Sequence, residues 1–381
     1  MAQLKNTKIL LVANSEWYFV NFRIELLHYL RSLGFEVILI FPFEKNSNKS
    51  LEIFKCYDSP VKRGSLNPFS LIGYFNLLNQ IKNKHNIKAI NAFSIQICIL
   101  TAICNLYFKI PSILSITGLG YSFISNSLKA KLIRAFIVLF GKFLFENKFT
   151  HFIFQNPDDR ITLFKIIKSI RLQSSLIFGS GVNTTIFKPQ PKKKRNSKIV
   201  FVFAGRLIYD KGIRELIDAY KKLLSTTENI SLLIAGEIDP NNPASVSADH
   251  VKEWQKLPGI KFLSHIDKMQ TIYSQADIAV LPSYREGLSR VLIEAASSGL
   301  AIITSDAPGC REVVLENNNG FLVPIKSSEL LFEKMRRFVT EPHLIESFGE
   351  ESRKIAKKQF SSTKINLKTV EVYNHVLAKN E

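Results

Sequence analysis

Two glutamates stand eight positions apart in the stretch PSYREGLSRVLIEAASSG, which covers residues 282–299. Glu286 lies among tyrosine, arginine and glycine, as in a loop, whereas Glu294 lies in an apolar run typical of a helix. Ser289 is a suitable N-cap, so we expect a helix to begin after it, with the free backbone N–H groups of residues 287–290 at its start. Such a terminus attracts anions, while carboxylates repel anions and accept hydrogen bonds from sugar hydroxyl groups. The combination fits a nucleotide sugar, in which a diphosphate is flanked by a ribose and a hexose.

A second charged loop, GRLIYDKG at residues 205–212, follows a strand-like run. Glycines at both ends allow a ligand to approach the backbone, and Arg206 and Lys211 supply a guanidinium and an ammonium group that suit a diphosphate. Taken alone, an ordinary charged loop explains these two residues as well. A charge that complements a helix dipole likewise explains Glu294, but it leaves Glu286 unexplained.

Strand-like runs alternate with amphipathic segments along the whole chain, which is the pattern of a parallel sheet with helices on both faces. The runs are KILLV (8–12), EVILIF (36–41), KAINAF (88–93), HFIFQ (151–155), KIVFVFAG (198–205), SLLIAG (231–236), IKFLS (260–264), DIAVLPS (277–283) and AIITS (301–305). A linker rich in proline, glycine and polar residues at 179–197 separates the two halves.

We therefore predict an α/β fold with two doubly wound Rossmann-like domains. The first domain covers residues 1–185 and the second covers residues 186–358, while a helix at 359–381 packs back on the first domain. In such sheets ligands bind beyond the carboxyl ends of the strands, so we expect the site in a cleft across which the two domains face each other.

Composition narrows the function. The 381 residues are 46% apolar, enough for two cores, and carry a formal net charge of +19. Residues 1–190 hold 23 basic and 9 acidic side chains, which suits anionic lipid, polyphosphate or nucleic acid, although surface lysines are common. The four scattered cysteines indicate neither a zinc site nor disulfides, so a reducing cytoplasm fits. The first apolar run is too short for a signal peptide, and no stretch is a convincing membrane span.

Several motifs of the second half resemble the donor half of retaining GT-B glycosyltransferases of family 4. They are Glu286-x7-Glu294 with the preceding PSYREG, the loop of Arg206 and Lys211, SDAPGCREVV (305–314) and NGFLVP (319–324). In the first half, NSEWYFVNFR (14–23), SLNPF (65–69) and TGLGYSF (117–123) resemble the branch that builds capsule, O-antigen and glycan chains on polyprenyl diphosphate. The resemblance implies a hexosyltransferase that takes a hexose, an N-acetylhexosamine in particular, from a UDP-sugar with retention of configuration. The implied acceptor is a sugar linked to polyprenyl diphosphate.

The resemblance also implies roles for single residues. Arg206 and Lys211 contact the donor diphosphate, Glu286 the hydroxyl groups of the hexose, and Glu294 the ribose. The helix start completes the donor site: the backbone N–H groups of Gly287 and Leu288 would hold hexose or phosphate oxygens, and Ser289 also belongs to the donor-binding residues. No metal and no cofactor is expected, because the arginine, the lysine and the helix terminus already neutralise the leaving group.

The first half departs from the family pattern at two strand ends. Many members have histidines where this chain has Asn91-Ala92-Phe93 and Thr117-Gly118. In place of the missing histidine we expect Thr117 and the N–H groups of Gly118–Gly120 at the reaction centre. The sequence around Gly118 also lacks the third glycine and the later acidic residue of a dinucleotide fingerprint, so NAD is excluded.

One helical segment, SLKAKLIRAFIVLFGKFLFE at residues 127–146, has an apolar arc much wider than a surface helix needs. It is either buried in its domain or lies in a membrane interface. The second alternative fits a cytoplasmic enzyme that is peripheral on the inner face of the cell membrane, with an anionic lipid surface and no nucleic acid as partner. A soluble transferase with a non-lipid acceptor and a non-catalytic carbohydrate- or nucleic-acid-binding scaffold are the competing interpretations.

Overall fold

The computed structural model describes residues 6–44, 49–62, 64, 67–119, 123, 128–169, 172–190, 198–240, 242–264, 266 and 268–379. The chain divides into two compact units, the first formed by Met1–Ser180 with Ser362–Glu381 and the second by Gly181–Ser361. The unit boundaries therefore lie five and three residues from the positions expected from the sequence. The shift arises because the N–H of Val182 donates to the carbonyl of Phe360 at 2.8 Å, which ties residues just after 180 to the second unit.

The first unit contains a sheet of seven strands in the order β3-β2-β1-β4-β5-β6-β7. The strands are β1 (Lys8–Val12), β2 (Glu36–Phe41), β3 (Lys55–Asp58), β4 (Ala89–Phe93), β5 (Ser112–Ile116), β6 (Thr150–Phe154) and β7 (Gln173–Leu176). Every pairing is parallel. The central strands β4, β5 and β6 are buried along their whole length, as expected for a sheet covered on both faces.

Helices cover both faces of this sheet. They are α1 (Glu16–Tyr18), a π-helical turn (Phe19–Arg23), α2 (Ile24–Ser32), α3 (Pro68–His85), α4 (Ile95–Phe108), α5 (Leu128–Phe145), α6 (Pro157–Ile167) and α13 (Ser362–Ala378). One core cluster joins buried residues of α3, α4, α5 and α6, whereas the other joins α2 and α13. The C-terminal helix thus completes the first unit, since its Tyr373 is fully buried in the second of these clusters.

The second unit contains a parallel sheet of six strands in the order β10-β9-β8-β11-β12-β13. The strands are β8 (Ile199–Ala204), β9 (Ile230–Ala235), β10 (Ile260–Leu263), β11 (Ile278–Leu281), β12 (Ala301–Ser305) and β13 (Gly320–Val323). The helices are α7 (Ile213–Leu224), α8 (Ala248–Trp254), α9 (Met269–Tyr273), α10 (Arg290–Ser297), α11 (Ser328–Thr340) and α12 (His343–Ile355). In both sheets the chain reverses its direction of travel beside the first strand, β1 or β8. Two doubly wound α/β units are confirmed.

The apolar segment at 95–116 breaks into a helix and a strand, as its Lys109 and Pro111 predict. Lys109 ends α4 in the left-handed conformation, and the Asn105 side chain bonds both the N–H and the carbonyl of Ile110 at 2.7 and 2.8 Å. These bonds satisfy buried backbone groups at the turn into β5. Across the residues that the structure describes, no helix has the length and apolar character needed to cross a membrane.

Candidate active site

Two loops at the carboxyl ends of β8 and β11 are held together in the second unit. The N–H of Tyr284 and the hydroxyl of Ser283 both donate to the carbonyl of Asp210, at 2.9 and 3.2 Å. Gly212 has φ +70°, and a Cβ atom added to it would lie 2.1 Å from the carbonyl oxygen of Pro282. Only glycine permits this approach, so the loop of Arg206 and Lys211 is fixed against the loop of Glu286.

A third loop, after β12, packs against the same Glu286 loop. The N–H of Glu286 donates to the carbonyl of Pro308 and the N–H of Ser289 to that of Gly309, both at 2.8 Å. Gly309 has φ +78°, and an added Cβ would lie 2.4 Å from the carbonyl oxygen of Glu286. The SDAPG motif therefore holds the helix start in place.

The predicted helix after Ser289 is confirmed, because the Ser289 hydroxyl accepts the N–H of Leu292 at 3.4 Å and caps α10. The expectation that the N–H of Ser289 is free for a ligand is wrong. That N–H is already used by Gly309, and Ser289 is buried. Within the part of the chain that the structure describes, the neighbouring N–H of Leu288 makes no hydrogen bond, so Leu288 stays a candidate ligand group.

Lys211 and Glu286, which the sequence assigned to different parts of a donor, contact each other. Their side chains form an ion pair between the Lys211 ammonium and the Glu286 carboxylate, at 19% and 15% exposure respectively. The thiol of Cys310 lies close to this pair: burial raises its pKa, and the Glu286 carboxylate raises it further. A ligand that enters here meets one acceptor and one cation that neutralise each other.

Arg206 points to a different neighbour, the carboxylate of Asp239 in the loop after β9. Its Nη1 atom lies 2.5 Å from Asp239 Oδ2. Both residues line a cavity of about 640 Å³ at the carboxyl ends of β8, β9 and β10, a volume typical of small-molecule sites. The rest of the lining contains two glycines and is otherwise mostly apolar: Gly205, Ala235, Gly236, Glu237, Ile238, Pro240, Leu263, Ile266 and Met269.

Two glycines open this cavity toward the backbone. Gly205 has φ +142° and nothing lies within 4 Å of a Cβ built on it. A Cβ on Gly236 would lie 1.8 Å from the carbonyl oxygen of Gly205, so the ends of β8 and β9 can approach this closely only because residue 236 is glycine. Asp239 was not predicted from the sequence. The rule that ligands bind beyond strand ends would have found it, because EIDP directly follows the SLLIAG strand.

Glu294 lies in different surroundings from Glu286. It is 8% exposed and accepts hydrogen bonds from Arg290 Nε at 2.7 Å and from the Tyr273 hydroxyl at 3.4 Å. Burial raises the pKa of this carboxyl, and the Arg290 guanidinium partly opposes that rise. Both carboxylate oxygens thus already have partners, and the contact of Glu294 with a ribose stays a prediction.

In the first unit, Thr117 and Gly118 follow β5 at the carboxyl edge of the sheet. Gly118 has φ +129°, and the N–H of Leu119 donates to Asp159 Oδ2 at 3.1 Å. Asp159 is fully buried at the start of α6, so the loop is anchored at this point. Gly120 and residues 121–122 of the TGLGYSF motif lie outside the described residues, and the role of Thr117 and Gly118 at a reaction centre stays a prediction.

Asn91, in β4, is an interior residue. Its Nδ2 donates to the Tyr373 hydroxyl at 2.9 Å, and its Oδ1 accepts the Ser115 hydroxyl at 2.8 Å. It therefore joins β4, β5 and α13. Among the described residues no three His, Cys, Asp or Glu side chains are grouped to hold a metal ion.

Comparison with known proteins matches both halves of the chain to glycosyl transferase families. Residues 184–355 match the family described as glycosyl transferases group 1, and residues 8–156 match the one described as glycosyl transferase 4-like. Together the two matches cover most of the chain and fall one in each unit.

Two curated relatives are similar to this chain. The capsular polysaccharide biosynthesis glycosyltransferase CapM of Staphylococcus aureus is 30% identical over 189 residues, which is 50% of this chain and 49% of that protein. The N,N'-diacetylbacillosaminyl-diphospho-undecaprenol alpha-1,3-N-acetylgalactosaminyltransferase of Campylobacter jejuni is 24% identical over 374 residues, or 94% of this chain and 96% of that protein. The chain thus aligns with about half the length of the first relative and nearly all of the second.

Solved structures share the fold. A glycosyltransferase from Rickettsia africae superposes with a TM-score of 0.81 at 19% identity, covering 98% of this chain and 99% of that one. HepE of Anabaena, in complex with UDP and glucose, gives 0.76 at 16% identity, covering 97% of this chain and 100% of that one. At these identities the likeness is one of fold alone.

Proposed function

This chain belongs to the group 1 glycosyl transferases and has the GT-B fold, and from this we propose a donor and an acceptor for it. We infer that it moves a hexose, an N-acetylhexosamine in particular, from a UDP-sugar to a sugar linked to polyprenyl diphosphate. The product belongs to surface polysaccharide or glycan assembly. The observation that carries the proposal is the meeting of three loops, with Arg206, Lys211 and Glu286, at the carboxyl edge of one sheet beside the cavity.

The cavity and its charged edge support a nucleotide sugar as donor. Leu263, Ile266 and Met269 give the cavity an apolar lining that suits the face of a planar base. Arg206 also lines the cavity, and its guanidinium group can bind phosphate oxygens. UDP is the first nucleotide to test, since the HepE structure of the same fold was solved with UDP and glucose.

The arrangement stabilises a departing diphosphate. As the bond between the hexose and the phosphate oxygen breaks, negative charge grows on the nucleotide, and fixed donors placed at that charge lower the barrier. Arg206, Lys211 and the N–H of Leu288 are the groups proposed for this task. Glu286 accepts hydrogen bonds from the hexose and orients it. A new bond from the hexose to the acceptor oxygen forms on the face that the nucleotide leaves, and the proton of the acceptor hydroxyl passes to the departing phosphate oxygen. Neither a metal nor a cofactor is part of this proposal.

A lipid-linked acceptor is supported by the similar enzyme of Campylobacter jejuni, whose name gives an undecaprenyl-diphosphate sugar as acceptor. The proposal places this chain at an anionic membrane surface on the cytoplasmic side, where such an acceptor is held by its lipid.

A face of the first unit supports that placement. Helix α3 packs beside α4, α4 beside α5, and α5 beside α6, so the four form one layer over the sheet. Large apolar side chains are exposed on these four helices: Phe69, Ile72, Leu106, Tyr107, Leu128, Leu132, Val138, Leu139, Phe140, Phe143 and Ile161. Helix α5 itself is buried on one side only, through Ala130, Ile137, Leu144 and Phe145.

The charges around this face are of one sign. Between Asp58 and Glu146 the sequence has no Asp or Glu and 10 Lys or Arg residues. Exposed apolar side chains with basic residues around them are the features of a surface that binds anionic lipid. We propose that this layer, the α3–α6 face, is the surface by which the enzyme binds the membrane.

The test is a transfer assay with a panel of radiolabelled nucleotide sugars and a polyprenyl-diphosphate-linked sugar in anionic vesicles. We expect label to pass to the lipid fraction from at least one UDP-hexose or UDP-N-acetylhexosamine. Transfer only to water-soluble sugars would replace the lipid acceptor with a soluble one. Nucleotide binding without any transfer would favour a non-catalytic scaffold.

A further inference from the structure

Asp239 is the only described residue that forms an ion pair with Arg206, and the pair stands at the edge of the cavity. Arg206 is 43% exposed and Asp239 23% exposed at the side chain, so both remain within reach of a ligand. Beyond the bond from Nη1 to Asp239, the Arg206 side chain makes no hydrogen bond within the described residues. Its other N–H groups are therefore available.

The segment that carries Asp239 is bound to the loop of Arg206 along its length. The N–H of Leu207 donates to the carbonyl of Glu237 at 2.9 Å, that of Tyr209 to Ala244 at 2.8 Å, and that of Val246 back to Leu207 at 2.9 Å. These bonds attach Glu237 on one side of Asp239, and Ala244 and Val246 on the other, to residues 207 and 209 of the Arg206 loop.

Within that segment, Asp239 belongs to a closed turn. Its N–H donates to the Ser245 hydroxyl at 3.2 Å, and its carbonyl accepts the N–H of Asn242 at 2.9 Å. The turn fixes the backbone on which the carboxylate stands. Asp239 thus presents its carboxylate to Arg206 from a backbone held by two hydrogen bonds, while the long arginine side chain on its own has many rotamers.

We propose that Asp239 is a positioning residue for the donor: it holds the Arg206 guanidinium over the cavity so that the free N–H groups meet the diphosphate of the nucleotide. The inference rests on the proposed function, since it assigns a partner to one residue of the same site. A guanidinium group has two edges, so one can stay on the carboxylate while the other binds phosphate oxygens.

If Asp239 instead competed with the diphosphate for Arg206, its substitution would change the nucleotide affinity in the opposite direction. Removing the carboxylate would then strengthen nucleotide binding, because one negative charge near the diphosphate disappears. Both side chains are partly exposed, so water and salt screen that repulsion. Immobilising an unsupported arginine carries an entropic cost that is not screened, and we expect that cost to prevail.

A double-mutant cycle separates the two. Calorimetry with a panel of nucleoside diphosphates first identifies the one that the wild-type protein binds. Asp239→Asn should weaken its binding about fivefold in the wild-type background. In the Arg206→Ala background the same change should leave binding unchanged or strengthen it, because the carboxylate then only repels the diphosphate. Asp249→Asn is the matched control, since Asp249 is exposed on α8 and pairs with Lys252 instead.

The outcomes of these measurements decide whether Asp239 positions Arg206. Equal weakening in both backgrounds, or equal or tighter binding by Asp239→Asn alone, would overturn the positioning role while the proposed donor stands. If the wild-type protein binds none of the diphosphates, the proposed donor and this inference fall together. Thermal unfolding of the four proteins should give midpoints within a few degrees of one another, and a large fall for Asp239→Asn alone would show that its role is structural.

Discussion

At the scale of single residues, the proposed donor site depends on two cations with different surroundings. We expect Arg206→Ala or Lys211→Ala to lower turnover by about 10²-fold or more, because each group stabilises charge that grows as the diphosphate leaves. Steady-state transfer rates at saturating donor measure the effect. Lys222→Ala is the control, since Lys222 lies on α7 and pairs with the exposed Glu329. Wild-type turnover in both variants would remove these residues from the site.

The two glutamates should respond differently to substitution. We expect Glu286→Gln to impair transfer far more than UDP binding, since its carboxylate is assigned to the hexose. Glu294→Ala should weaken UDP itself and also lower the unfolding midpoint, because it leaves Arg290 and Tyr273 without their buried partner. Calorimetry with UDP and thermal unfolding distinguish the two effects. Equal losses of UDP affinity in the two variants would refute the assignment.

At the scale of elements, most of the fold could be predicted from the sequence. The nine apolar runs quoted above correspond to nine of the thirteen strands, because a sheet buried on both faces needs continuous apolar strands. The short strands β3 and β7 at the edges of the first sheet gave no such run, because they are not continuously apolar and are only partly buried. The start of α10 could also be predicted, because the hydroxyl of Ser289 caps the helix within its own turn.

Contacts between loops could not be predicted, because they depend on how separate strands are placed side by side. The N–H of Ser289 is occupied by Gly309, twenty residues later in the chain, and Arg206 pairs with Asp239 across a neighbouring strand. Likewise, the pattern of α10 alone does not show that Tyr273 covers Glu294. The sequence thus proposed several residues of the candidate site, but the partners of those residues are seen only in the structure.

The contact between β6 and the C-terminal helix α13 should become less stable in acid. Burial, together with the smaller effects of His375 and Lys379, lowers the pKa of His151 to about 4. Because the folded-state pKa lies below the unfolded value of about 6.5, the folded state resists protonation. The contribution of His151 to the free energy of unfolding is therefore fully present above pH 6.5 and is lost as the pH falls toward 4.

We expect this one histidine to contribute about 2 kcal/mol to the loss of unfolding free energy between pH 7 and pH 4.5. Urea unfolding of the wild-type protein and of His151→Gln at the two pH values measures it. The variant should lose less stability than the wild type over this range. An identical pH dependence in both proteins would mean that His151 titrates normally.

At the scale of the whole molecule, the uneven charge of the chain bears on where it works. The formal net charge of +19 comes mainly from residues 1–190, and the α3–α6 face adds exposed apolar side chains to that charge. We expect the protein to sediment with vesicles in proportion to their anionic lipid content, and to be released by salt, because screening weakens attraction to the lipid charges.

Charge reversal on α5 tests whether this face is the contact. Lys131 and Lys142 are exposed on that helix, and each basic residue near anionic lipid contributes roughly 1 kcal/mol. We expect Lys131→Glu with Lys142→Glu to weaken vesicle binding at least about tenfold. Lys252→Glu with Lys256→Glu changes the net charge equally but on exposed positions of the second unit, and it should bind nearly as the wild type does. If both pairs of changes reduce binding equally, attraction is a matter of net charge only. If neither pair of changes reduces vesicle binding, or if wild-type protein stays in the supernatant at low salt, the α3–α6 face does not bind the membrane. Its exposed apolar residues then require a different partner.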